Sequence, residues 1–289
     1  MGDDGSRLEK RAVSTADIAL TRRLQPSQGW SQRTLSDLWA YRELLYFFIW
    51  RDVKVRYKQT LLGAGWAIIQ PLMTMVVFTI FFGHLAKVPS DGLPYPVFSL
   101  MALVPWTYFA SALAGCSTSL SGYQHIISKV YFPRLIIPIA AVVAPLVDFA
   151  IGFVILIGFM AWYRIVPGPS IVWLPALLLL ALATAASVGV WLAALNVRYR
   201  DVRYVIPFVV QLWMFATPVA YPASLVPARW RAVYGLNPMA GVIEGFRWAL
   251  AGGPAPGVIT LVSAAVVIVL IAGGAVYFRK LEGTFADVI

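Results

Sequence analysis

Asp148 is the residue whose chemistry its surroundings least explain. It lies in LVDFAIGF, inside a long apolar run, where a carboxylate is costly and needs an interior partner, a water-filled cavity or a structural task such as holding a bend at Pro145. Catalysis would need company: a membrane transferase for lipid-linked sugars wants clustered carboxylates or histidines near one face, and only Asp148 and the loop residue Glu244 offer themselves. His125 has no second histidine or carboxylate close in sequence, so a metal site is not expected. The single cysteine, Cys116, allows neither a disulfide nor a cysteine metal site within the chain and reads as a small packing residue. No Gly-Lys dipeptide occurs, which excludes a GxxxxGK phosphate-binding loop. No acid and histidine system across the apolar runs suggests proton coupling either. If this chain moves something uphill, another polypeptide hydrolyses the nucleotide, and no cofactor is expected here.

Composition decides where these residues sit. With 60% hydrophobic and 12% charged residues, a soluble globule could not cover its surface, and a polytopic membrane protein is expected. Six apolar stretches, near 61–85, 98–120, 135–163, 171–195, 204–221 and 258–278, are expected to be long enough for a crossing, which needs roughly 20 residues. The third is overlong and carries Pro138 and Pro145, so a tilt or kink is expected; the fifth is short and opens near Pro207. The net charge of +10 would hint at nucleic acid in a soluble chain, but the basic residues report orientation instead. Placing the N-terminus in the cytoplasm puts 18 of the 23 Lys and Arg inside, which favours both termini there. Residues 1–34 read as a polar, flexible tail without the features of a signal peptide.

The segment from Ser36 to Leu72 is aromatic and basic, and turns through Gly63 and Gly65 into the first apolar run. Its rings suit the headgroup region, and Arg51, Lys54, Arg56 and Lys58 suit an anionic leaflet. Ser36 as cap, Asp37 at the dipole's positive end and Asp52 four residues before Arg56 support a helix with Leu38, Tyr41, Leu45, Phe48 and Val55 on one stripe. The loop Ser121 to Pro133 is short yet holds Ile126, Ile127, Val130, Tyr131 and Phe132. Such side chains want a protein surface, supplied by a cytosolic partner or by the chain's own N-terminal helix. The basic loop Asn196 to Tyr204 suits a partner or the positive-inside rule equally. On the other side, Tyr221 to Gly257 predicts a helix capped by Asn237 with Pro238 first, ended by Gly252 or Gly253, and paired internally by Glu244 and Arg247. A helix of about 14 residues reaches about 21 Å, too short to cross. With the piece from Ala223 to Tyr234 it forms an exit lid or a passive rim.

Read together, YKQTLLGAGWAIIQPL, the SKVYFPR loop, NVRYRDVRY, TPVAYP and LNPMAGVIEGFRWAL resemble the membrane subunit of the polysaccharide and polyol-phosphate ABC exporters, the Wzm-like and TagG-like permeases of the type 2 ABC transporters. The likeness runs from about Leu35 to Phe278. It implies an all-α polytopic membrane protein of the bacterial inner membrane: residues 1–34 as tail, 35–60 as an amphipathic interface helix, 61–289 as a six-span domain with short external gate helices before the last span. It implies a homodimer bound to two copies of a cytosolic ABC ATPase, which holds the ATP and Mg, and export of a lipid-linked glycan of O-antigen, capsule or teichoic-acid type.

Carried over by position, ATPase coupling falls on Arg42, Glu43, Arg51, Lys54, Tyr123, His125, Lys129, Tyr131 and Phe132. The canal, where sugars slide along rings, has Trp66, Gln70, Phe78, Trp106, Tyr108, Phe109, Gln211, Trp213 and Phe215 as candidates, each ring having lipid contact or packing as its ordinary alternative. The external gate takes Trp230, Tyr234, Asn237, Pro238, Glu244, Arg247 and Trp248. The alternatives are a type 2 exporter of a drug or small lipid, the membrane transferase already weighed, and a passive scaffold.

Overall fold

The structure, a computed structural model, describes residues 39–58, 65–127, 129–130, 132–199, 201–253 and 255–282. Ser36, Asp37 and Leu38 of the expected helix start, Gly63 of the expected corner, the 1–34 tail and the coupling candidate Tyr131 lie outside the described residues. All regular elements among the described residues are helical. In chain order the main ones are α1 (Arg42–Tyr57), α2 (Gly65–Phe78), α3 (Tyr95–Gly122), α4 (Ile136–Val143), α5 (Leu146–Trp162), α6 (Leu174–Arg198), α7 (Val202–Phe215), α8 (Pro238–Ala251) and α9 (Val258–Glu282).

Five helical stretches are long and apolar enough to cross a membrane: Gly65–Leu85, Tyr95–Gly122, Ile136–Trp162, Pro169–Arg198 and Val258–Phe278. The stretch expected at 204–221 is realised as α7, a shorter apolar helix. Its 14 residues rise about 21 Å against roughly 30 Å of hydrocarbon. The third apolar stretch breaks where proline demands: α4 stops at Val143, Pro145 cannot donate to the preceding turn, and α5 begins at Leu146. A carbonyl at the end of α4, that of Val142, accepts a hydrogen bond from Tyr108 Oη at 3.1 Å, the kind of repair an apolar interior requires. A feature without a sequence signal follows α2, where Thr79–Leu85 widens into a π-helix.

The core forms around α3, whose apolar window is 78% buried. Its most extensive contact is with α6, and α4, α5, α8 and α2 also pack on it. Small residues permit the α3–α6 approach: a Cβ added at Gly189 would fall 2.6 Å from Cys116 Sγ, so Cys116 is the packing residue its sequence context implied. Asn196 crosses the same seam, donating to the Ser117 carbonyl at 3.0 Å. In contrast, only 17% of the α2 window is buried, and α7 buries Ile206 alone. Those two helices present open apolar faces, as do α9, 22% of whose window is buried, and α6, at 28%.

Candidate functional site

At one end of the molecule, α1 is clamped to the core by an apolar plug and two polar ties. The plug is Phe48, 2% exposed, whose ring meets Tyr123 edge-on at 5.1 Å and Phe132 at 5.8 Å. Leu120, Ile127, Ile136 and Ile137 belong to the same cluster, which extends to Val190 and Val197 on α6. Tyr123 Oη donates to Asp52, and Arg51 lies over the Tyr123 ring at 4.3 Å. Burial raises the Tyr123 pKa, and the bond to Asp52 acts in the same direction, so the phenol stays a donor. One turn further, Arg56 and Tyr57 both reach Asp148, while Arg56 also donates to Ser111 Oγ at 3.3 Å. Glu43 in the first turn and Lys54 and Arg56 in the last complement the helix dipole.

Asp148 thus has its partners, and they come from α1. The local pair expected between Asp52 and Arg56 is replaced by two tertiary ties, because each side chain finds a better-shielded partner across the gap. The stripe on α1 is also only partly realised: Tyr41, Leu45 and Phe48 join the cluster, whereas Val55 is exposed, as are Tyr46, Phe47 and Trp50. Those outer rings form the aromatic surface that suits a headgroup layer.

The coupling candidates divide accordingly. Arg42, Glu43, Lys54, His125 and Lys129 are exposed and Arg51 is half-buried. Tyr123 and Phe132 are not open to a partner; they are committed to the chain's own helix, the second of the two possibilities for this loop. Among the loop's described residues, Val130, 57% exposed, is an open apolar side chain beside Lys129.

The canal candidates separate by burial. Phe78, Trp106, Tyr108 and Phe109 are buried in the main core, and aromatic type alone does not distinguish such a ring from an open one. Trp66 and Gln70 on α2, and Gln211 and Phe215 on α7, are exposed. Trp213 is intermediate: it packs on Phe109 at 5.1 Å and its indole donates to Asn237 Oδ1 at 2.9 Å.

That bond leads to the other end of the molecule, where the sequence expectations for α8 are met in detail. Asn237 caps the helix by accepting from Met239 N at 3.1 Å, with Pro238 next, and Gly252 ends it at φ +79°, a conformation that favours glycine. The Asn237 amide also donates to Thr217 Oγ1 at 2.9 Å. Glu244 and Arg247 pair at 2.9 Å. Arg247 is buried, donates from Nη2 to the Val219 carbonyl at 2.9 Å and stacks over Phe98 at 3.7 Å. Burial lowers its pKa, and the Glu244 carboxylate opposes that shift. Of the remaining gate candidates, Tyr234 bonds Tyr221 hydroxyl to hydroxyl at 3.0 Å, Trp230 is exposed and Trp248 is half-buried. Glu244, Arg247 and Trp248 border a cleft of ≈ 490 Å³ with Asp91, Ser224 and Arg231.

Of the residues that hold α1, Tyr57 carries no mark of its own in the sequence, while Phe48 and Arg56 are marked as stripe and basic residues but not as partners of Tyr123, Phe132 and Asp148. A lone acid in an apolar run demands a cation, and Arg56, the next-to-last residue of α1, was the available signal; nothing in the spacing fixed it. Among the described residues no group of three or more His, Cys, Asp and Glu could hold a metal ion.

Comparison with known proteins decides the family. The family model described as ABC-2 type transporter matches residues 43–251, from α1 through the end of α8. The chain belongs to the ABC-2 type transporter family. Among curated relatives of this transporter chain, the O-antigen export system permease protein RfbA of Myxococcus xanthus is 29% identical over 262 residues, covering 89% of this chain and 99% of the relative. The protein of the same name from Klebsiella pneumoniae is 27% identical over 248 residues, covering 86% and 95%. The polysialic acid transport protein KpsM of Escherichia coli is 23% identical over 211 residues, covering 70% and 79%.

Proposed function

We propose that this chain is the membrane permease subunit of an ATP-driven exporter that moves a lipid-linked polysaccharide outward across the bacterial inner membrane. The observation that carries this is the end-to-end likeness to the Myxococcus O-antigen export permease, 99% of which is covered. The chain is a transport component and not an enzyme; a separate ABC ATPase supplies ATP and Mg. Both termini lie in the cytoplasm, and α7 with the turns from Ala216 to Ala220 completes a sixth, thin crossing. Two copies assemble. The open faces of α2 and α7, with Trp66, Gln70, Gln211 and Phe215, then meet the second copy and border the path.

In this reading the ATPase docks on the exposed coupling surface of Arg42, Glu43, Lys54, Lys129 and Val130. Its motion passes inward through contacts already described. Phe48 carries it to the Tyr123–Phe132 loop, and Arg56 and Tyr57 carry it to Asp148 on α5. The segment from Ala223 to Gly252 stands as the external gate. The chemistry asked of this chain is positioning alone: hold the ATPase, move helices, and offer stacking surfaces to sugar rings.

Co-expression with a candidate ABC ATPase tests the reading. The ATPase should copurify with this chain, and hydrolysis should rise with lipid-linked glycan. No copurification and no glycan-stimulated hydrolysis would overturn it.

A further inference from the structure

One side chain joins the open helix α7 to the buried helix α8. Along α7, Ile206 alone is buried, and the helix runs out into turns where Thr217, Pro218, Val219 and Ala220 are all buried. Backbone outside a helix in an apolar setting needs donors from elsewhere. Side chains of well-packed elements supply them: Tyr95 Oη donates to the Ala220 carbonyl at 2.6 Å, and Arg247 Nη2 to that of Val219 at 2.9 Å. Asn237 does the same for α7 itself. Its Nδ2 donates to the carbonyl of Ala216, the residue that closes α7, at 3.2 Å, and to Thr217 Oγ1 at 2.9 Å. On the other side, Oδ1 accepts from Trp213 Nε1 at 2.9 Å and from Met239 N at 3.1 Å. Both lone pairs and both N–H groups of the amide are therefore in use. Its partners fix its orientation, because an indole N–H and a backbone N–H can only donate and a backbone carbonyl can only accept.

A helix cap alone does not ask for this residue. Asp, Ser and Asn serve about equally at that position, and of the three only Asn carries the NH2 group that can donate twice to the end of α7. The body to which α7 is tied is itself fixed: Met239, Ala240, Val242 and Ile243 are fully buried. A Cβ added at Gly241 would fall 2.5 Å from Ser263 Oγ of α9, and that hydroxyl accepts from Gly241 N at 3.2 Å and donates to the Gly235 carbonyl at 2.9 Å. We infer that Asn237 is a positioning residue for transport: it pins the outer end of α7 to α8 and so sets the path there, leaving ATPase-driven movement to the inner end. The inference rests on the export reading for α7 as a helix that borders the path; the joint itself stands on the hydrogen bonds.

Asn237→Asp isolates the joint, because a carboxylate keeps both acceptances and the cap but can make neither donation. Amide hydrogen exchange is measured on the full-length chain in nanodiscs with its ATPase. Exchange in residues 213–221 should speed at least about fivefold, the effect of losing even one net hydrogen bond, while the first turn of α8 keeps its protection. In a strain deleted for the chain, the variant should insert in the membrane and support ATP hydrolysis, yet display severalfold less surface polysaccharide per copy than the unaltered chain. Thr217→Val removes one acceptor of the joint and leaves the cap whole; it carries the same expectations and decides the matter if Asn237→Asp does not accumulate. The inference is overturned by unchanged exchange at 213–221, by faster exchange confined to the first turn of α8, or by surface polysaccharide per copy equal to that of the unaltered chain. Surface polysaccharide that does not depend even on the unaltered chain removes the export reading, and exchange at 213–221 then decides the joint on its own.

Discussion

At the α1 end, Arg56 reaches Asp148 across 92 positions of sequence, and the two side chains remain 33% and 26% exposed. At the α8 end, Glu244 and Arg247 sit one turn apart, at 18% and 7%. Solvent or headgroups reach the open third or quarter of each side chain in the first pair, so losing a partner there costs less than in a fully buried pair. In the second, loss of the acid leaves a buried guanidinium with no compensating charge. A contact that must make and break as an ATPase cycles is better built the first way, and a fixed rim that positions a cleft the second way. Phe48 stands between these cases: its burial is complete, but its partners Tyr123 and Phe132 lie in and beside the short connection between α3 and α4 rather than in the main core.

The sharpest way to break this contrast is Glu244→Ala. Removing one partner of a buried pair costs about 3–5 kcal/mol, so the variant should give little folded protein, read as a large fall in detergent melting temperature. Next is Phe48→Ala. Truncation of a buried Phe costs about 3–5 kcal/mol where the site cannot collapse, and because this plug borders the surface the lower end is expected, with α1 newly open to protease while the core stays folded. Asp148→Asn should cost about 1 kcal/mol or less and leave folding intact, yet reduce export severalfold because α1 has lost its charged hold on α5; an equal fall in yield and export would place this pair with the structural one instead. The smallest stability effect belongs to Val130→Asp, within about 0.5 kcal/mol as for other surface changes, with ATPase copurification as the property that drops.

How much of this could be read in the sequence depended on how local the physics was. The α8 cap at Asn237, its proline start, its Gly252 end and the Glu244–Arg247 pair are interactions within a few residues, and all are present. Pro145 broke its helix for an equally local reason. Asp148 was conspicuous because an acid in an apolar run is costly, but the identity of its partner depends on how α1 folds back, which spacing does not encode. The rings show the same limit: Trp66 and Phe109 are alike in sequence context, yet one is open and the other lies sealed beneath Trp106 and Trp213. An apolar loop needs a cover, which the sequence leaves open between a partner and the chain's own first helix; for Tyr123 and Phe132 the structure supplies Phe48. The π-helix at Thr79–Leu85 has no compositional mark at all.

The most direct measurement of the central claim is surface polysaccharide in a strain deleted for this chain and complemented in trans. Export by this permease requires that the surface polymer disappear on deletion, that lipid-linked polymer accumulate inside, and that the intact chain restore both. Undiminished surface polymer in the deletion strain, with no internal accumulation, would contradict it.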